Sequence, residues 1–192
     1  MRDASLLAKI EMMRMNPKDR KVSAPDERRT NAPRTKILVV YFSRSGNTRA
    51  LANQIQQSIG CDIFEIQPEK PYPTDYEEAK SQSRQELDSG FKPRLKTKIT
   101  DFGLYDTVFI GYPMWWGTFP MPVLSFLSGY DFSGKTLVPF CTHEGSGLGH
   151  SVEDIRKLCP HSTIWEGLAV WDRDLDNDSG AINAWLRRLE MK

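Results

Sequence analysis

Cysteine is scarce in this 192-residue chain: Cys61, Cys141 and Cys159 are an odd number, with no C-x-x-C pair and no histidine at zinc-ligand spacing. That argues against a disulfide framework and against a metal site, and reduced thiols are expected. No stretch approaches the roughly 18 apolar residues of a membrane span. The opening MRDASLLAKIEMMRM carries charges where a secretory leader has its apolar core, so a cytoplasmic location is expected. A strong charge imbalance is also missing. Residues 1–35 hold nine Lys/Arg against five Asp/Glu, residues 36–192 hold seventeen against twenty, and neither part is basic enough to suggest nucleic acid. Neither G-x-G-x-x-G nor G-x-x-x-x-G-K-[ST] occurs at the first glycine-bearing turn, which disfavours dinucleotide and nucleoside triphosphate sites there.

What is present divides in two. Residues 16–35 have three prolines, many charges and almost no large apolar side chains, so they cannot offset their own chain entropy by burial. Together with a short amphipathic helix expected over 3–15 they make residues 1–35 an N-terminal arm or linker. From residue 36 the pattern is regular. KILVVYF (36–42) is a continuous apolar run of the kind covered on both faces, and Leu51, Ile55 and Ile59 line one face of a helix over 48–59. Strands are expected at 61–66, 105–112, 135–141 and 163–171, and helices at 75–89, 120–129, 149–159 and 178–190. The 75–89 helix would be anchored by Tyr76, Ala79 and Leu87. Five strands alternating with about five helices make residues 36–192 one α/β domain, a parallel sheet with helices on both faces.

In such a sheet, ligands bind beyond the carboxyl ends of strands at the switch point of strand order. The loop after the first strand, Ser43-Arg44-Ser45-Gly46-Asn47-Thr48, supplies hydroxyls, an amide and a permissive glycine at a helix start without any carboxylate, which suits a phosphate dianion. The bland alternative is that Asn47 or Thr48 merely caps the helix. After the third strand, Tyr112-Pro113-Met114-Trp115-Trp116-Gly117-Thr118 places two indoles at the sheet edge, apolar surface for a flat heterocycle, although one of the pair is expected to be core. After the fourth, Thr142-His143-Glu144-Gly145-Ser146-Gly147 precedes Leu148 and Gly149, and its glycines let backbone approach a ligand. His143 is the candidate proton donor here and equally an ordinary polar loop residue.

Taken together, S-R-S-G-N-T, Y-P-M-W-W-G-T and T-H-E-G-S-G, in that order over residues 36–192, resemble the flavodoxins, above all short bacterial flavodoxin-like proteins with a Y-P-x-W-W-G loop. The resemblance implies a three-layer sandwich with strand order 2-1-3-4-5 and a bound flavin mononucleotide (FMN). Its phosphate would lie on Ser43, Ser45, Gly46, Asn47 and Thr48, with its isoalloxazine against residues 113–118 and its other side closed by 142–147. KPYPTDYEEA (70–79) also looks like this family, without an assignable role. Three functions are compatible with such a site. One is an oxidoreductase passing hydride from NAD(P)H through FMN to a quinone or similar acceptor, one is a one-electron carrier for a redox protein, and one is a non-enzymatic flavin-binding or regulatory module. The arm is expected to be dispensable for flavin binding and available for homodimer formation.

Overall fold

The computed structural model describes residues 36–175 and 179–191. The arm of residues 1–35, the helix expected over 3–15 and the dimer expected through the arm all lie outside the described residues. Strands β1 (Ile37–Tyr41), β2 (Asp62–Glu65), β3 (Thr107–Pro113), β4 (Thr136–His143), β5 (Thr163–Ile164) and β6 (Leu168–Trp171) alternate with helices α1 (Asn47–Ile59), α2 (Tyr76–Ser89), α3 (Met121–Gly129), α4 (Ser151–Leu158) and α5 (Ser179–Arg188). Every pairing is parallel, and the order is β2-β1-β3-β4-β5, with β6 also on β4. The 2-1-3-4-5 order is therefore present, its fifth position shared by β5 and β6.

The apolar runs read as two-sided strands are two-sided. Alternate residues feed two cores, Val40, Ile110 and Leu137 on one face packing with Val123, Phe126 and Ile155, and Val39, Phe109 and Val138 on the other packing with Leu51, Ile55 and Trp185. Period-two alternation of side chains explains why a run with no polar residue serves both faces. Gly111 is where the sheet admits a large ring, since a Cβ there would overlap the Phe140 side chain on the paired strand.

Three expectations need correction. The strand expected over 163–171 is broken at Trp165–Gly167. Trp165 donates its N–H to the Leu137 carbonyl (2.9 Å), so by the strand's alternation Pro139 turns the same way and offers no N–H to the fifth position. A side chain at Gly167 would meet Leu148 and the Pro139 carbonyl. Next, β3 runs on through Pro113 and β4 through His143, because Pro113 pairs with Thr142 and His143 with Trp171. Pro113, Thr142 and His143 are thus strand residues. Finally, Tyr76 does not anchor α2. It is 58 % exposed and Leu87 is half-buried, whereas Ala79 is buried as expected, together with Ser83 and Glu86. The buried Glu86 carboxylate is satisfied by the Tyr72 hydroxyl and by the Gln82 amide. Among the described residues no helix is long and apolar enough to cross a membrane.

Candidate functional site

The switch point lies between β1 and β3, and the loops that follow β1, β3 and β4 meet there. The first begins α1 in an unusual way. Gly46 is the N-cap with φ +104°, no side chain caps the helix, and the first turn holds no acidic residue. Gly46 N–H donates to Ser43 Oγ (3.1 Å), and the first helical bond runs from Ala50 N–H to the Gly46 carbonyl. The N–H groups of Asn47, Thr48 and Arg49 consequently have no helical partner and point out of the helix start. Neither Asn47 nor Thr48 is a cap. Asn47 Nδ2 donates to Asp172 Oδ2 (2.7 Å), and the buried Thr48 hydroxyl pairs with that of Thr142 (2.9 Å). Ser45 is exposed. Arg44 folds back to the Thr74 carbonyl (3.3 Å), with its guanidinium 5.9 Å from the centre of the Tyr76 ring.

The second loop is a two-residue turn closed by reciprocal N–H···O bonds between Trp115 and Thr118 (2.9 and 3.0 Å), with Trp116 at φ +56° and Gly117 at φ +81°. The turn separates the two indoles. Trp115 packs edge-on against Phe42 and Tyr72 and lies half-buried against the core. Trp116 is 40 % exposed, donates Nε1–H to Ser83 Oγ (3.1 Å) and lies 5.3 Å under the Arg84 guanidinium. Thr118 is buried and donates to Asp154, which makes it a structural residue.

The third loop is tied to the second by backbone. His150 N–H donates to the Gly117 carbonyl (2.9 Å), and a Cβ on Gly149 would overlap that same carbonyl. His143 accepts the Gly145 N–H at Nδ1 (2.8 Å) and sits 5.5 Å from the Trp171 ring, which also carries the Arg173 guanidinium at 4.1 Å. Glu144, Gly145 and Ser146 are exposed, and Cys141 Sγ contacts the Gly147 carbonyl beneath them. Burial raises the Cys141 thiol to about 12.

Of the expected residues, Arg44, Met114, Trp115 and Trp116 line a cavity of about 240 Å³, and its other wall is α2 through Tyr76, Ala79, Lys80 and Ser83. Residues of the third loop do not line it.

A family model described as flavodoxin matches residues 36–189. The chain belongs to the flavodoxin family. A candidate flavoprotein from Bacteroides eggerthii is 36 % identical, with a TM-score of 0.73 over 82 % of this chain and 99 % of that one. One from Bacteroides uniformis is 29 % identical, with a TM-score of 0.72 over 80 % and 98 %. A flavoprotein from Lactobacillus acidophilus, solved in complex with FMN, shares the fold at 22 % identity and a TM-score of 0.61, covering 74 % and 97 %. No curated protein matches this flavodoxin.

Sequence reasoning missed two groups of residues that lie against these loops. One is Asp172, just past β6, whose Oδ1 is buried without a partner beside the Asn47 amide. The other is the start of α2, where the unassigned KPYPTDYEEA segment does four things. Tyr72 supports Trp115, the Thr74 carbonyl holds Arg44, Asp75 caps the helix by accepting the Glu78 N–H (2.9 Å), and Tyr76 faces the cavity. The Tyr76–Lys80 spacing of four residues was the signal available, since it sets both on one helix face.

Proposed function

We propose that this flavodoxin holds FMN at the convergence of its first three functional loops and works as an FMN-dependent oxidoreductase, accepting electrons from NAD(P)H and delivering them to a quinone or similar small acceptor. The residues fit the cofactor. Three N–H groups without helical partners, in a first turn that has no acidic residue of its own, suit a phosphate dianion, with Ser43 and Ser45 adding hydroxyl donors. The orphaned, buried Asp172 Oδ1 beside that helix start needs a donor, and the ribityl hydroxyls of FMN are donors. Met114 and Trp116 offer apolar surface to a ring. FMN, once bound, supplies one- or two-electron chemistry that no side chain provides.

The observation that favours an oxidoreductase over a carrier is the character of the cavity beside the indoles. It is lined by Arg44 and Lys80 and by no carboxylate, so it suits a small electron-rich substrate and repels an electropositive redox partner. The test begins with the visible spectrum of the FMN-reconstituted protein and continues with NADH or NADPH consumption in the presence of a quinone. Acceptor-dependent turnover is expected. Photoreduction to a long-lived one-electron state, with no turnover, would instead make the protein a carrier.

A further inference from the structure

The cavity between α2 and the loop after β3 is not explained by phosphate and ring binding alone. Half of its wall comes from a helix outside the three cofactor loops, and it combines three aromatic side chains, two cations and no carboxylate. Trp116 is held open there against two ordinary tendencies. A large side chain at φ +56° is a strained choice, and a large indole is normally covered, yet its Nε1–H bond to Ser83 fixes the ring at the cavity mouth. Tyr76 is likewise exposed, with the Arg44 guanidinium 5.9 Å and the Lys80 ammonium 5.8 Å from its ring centre. Arg44 has no carboxylate partner among the described residues. Its one polar contact there is the Thr74 carbonyl, and Lys80 shares only an exposed pair with Glu77 (3.4 Å). Arg84, beyond Trp116, is already paired with Asp88.

We infer that this cavity binds a planar aromatic anion, which on the reading given under Proposed function is the substrate class of the oxidoreductase. Aromatic walls select a flat molecule, and two incompletely paired cations without a neighbouring carboxylate in the lining select negative charge. A volume of about 240 Å³ lies below the roughly 300–1,000 Å³ of pockets for drug-sized ligands, so the occupant is a fused ring system carrying one acidic group and not an entire dinucleotide.

The test is calorimetric titration of the FMN-loaded protein with naphthalene-2-sulfonate and with the neutral, isosteric naphthalene-2-sulfonamide. The sulfonate is expected to bind about five- to tenfold more tightly, an advantage that shrinks in high salt. Lys80→Gln should reduce that advantage about threefold and Tyr76→Ala should weaken both ligands. Both variants should keep wild-type FMN affinity, which also reports that they fold. Equal affinity for the two naphthalenes would overturn the inference, as would sulfonate binding that FMN abolishes, since the cavity would then be the seat of the flavin ring. If the protein binds FMN but neither naphthalene, this inference alone falls. If it binds no FMN yet retains Lys80-dependent sulfonate binding, the anion site stands and the cofactor reading falls.

Discussion

Ser45→Asp separates a phosphate site from a plain helix start because only a phosphate site predicts a loss of FMN affinity. Ser45 is exposed next to Gly46, and behind it the N–H groups of Asn47, Thr48 and Arg49 lack helical acceptors. If two of them bond the FMN phosphate at roughly 1.5–3 kcal/mol each, riboflavin, which lacks the phosphate, should bind about a hundredfold more weakly after a discount for non-additivity. An aspartate roughly 6 Å from that phosphate repels it by about 3 kcal/mol per unit charge at an effective dielectric of 20. Halving this for exposure leaves a loss of at least about tenfold in FMN affinity. The same carboxylate stabilises a ligand-free helix start by about 0.3–1 kcal/mol, so the apoprotein should gain slightly in urea. Quenching titrations of apoprotein with FMN and riboflavin, using Ser45→Asn as the uncharged control, measure all of this. The reasoning is refuted by equal wild-type affinity for the two flavins, or by a Ser45→Asp protein that binds FMN normally.

The two tryptophans should behave differently. Trp115→Ala removes a core contact and should cost about 2–4 kcal/mol in urea denaturation, whereas Trp116→Gly should cost nothing or stabilise by up to about 1 kcal/mol by relieving a left-handed residue, while weakening ligand binding. Gly111→Ala should destabilise by about 1–3 kcal/mol through overlap with Phe140, and Phe140→Leu in the same chain should recover part of that loss. Asp172→Asn, which keeps the shape but exchanges the orphaned acceptor set, should weaken FMN and riboflavin alike; a loss confined to FMN would argue against a ribityl contact. Burial raises the Cys61 and Cys159 thiols to about 11 and that of Cys141 to about 12. Their neutral form is therefore favoured in the folded state, so their contribution to stability should be constant up to about pH 8 and be lost from there towards pH 11 as the unfolded thiols ionise. Urea midpoints between pH 7 and 10.5 check the sign, and a midpoint that rises with pH would contradict it.

The sheet was legible because its evidence is local. KILVVYF and YDTVFIGY are unbroken apolar runs, and the alternation of such runs with helical spacing leaves few topologies. The break in the fifth strand was legible in principle, since Pro139 in a central strand withholds a donor that some neighbour must do without, but the consequence falls on residues 165–167, which carry no mark of it except Gly167. The phosphate-type loop was readable for the same local reason as the strands, whereas Asp172 was not. Nothing in WDRDLD distinguishes it until folding brings it 2.7 Å from an amide 125 residues earlier in the chain. Trp115 and Trp116 were indistinguishable as a pair. Which one packs against the core is set by a two-residue turn with Trp116 at φ +56°, a property of backbone angles that residue type alone does not disclose.

The broken fifth strand has a consequence for how this chain meets its neighbours. Among the described residues the sheet has two edges. At one, the backbone runs as a strand of two residues and a strand of four with a displaced stretch between them, so a foreign strand finds no continuous row of donors and acceptors. At the other, β2 is four residues long and its acidic ends, Asp62 and Glu65, are held by Lys36 and Arg49. Both margins are therefore poor templates for edge-to-edge growth into a larger sheet. The proline in the middle of the sheet thus leaves the margin at β5 and β6 without a continuous template for another strand.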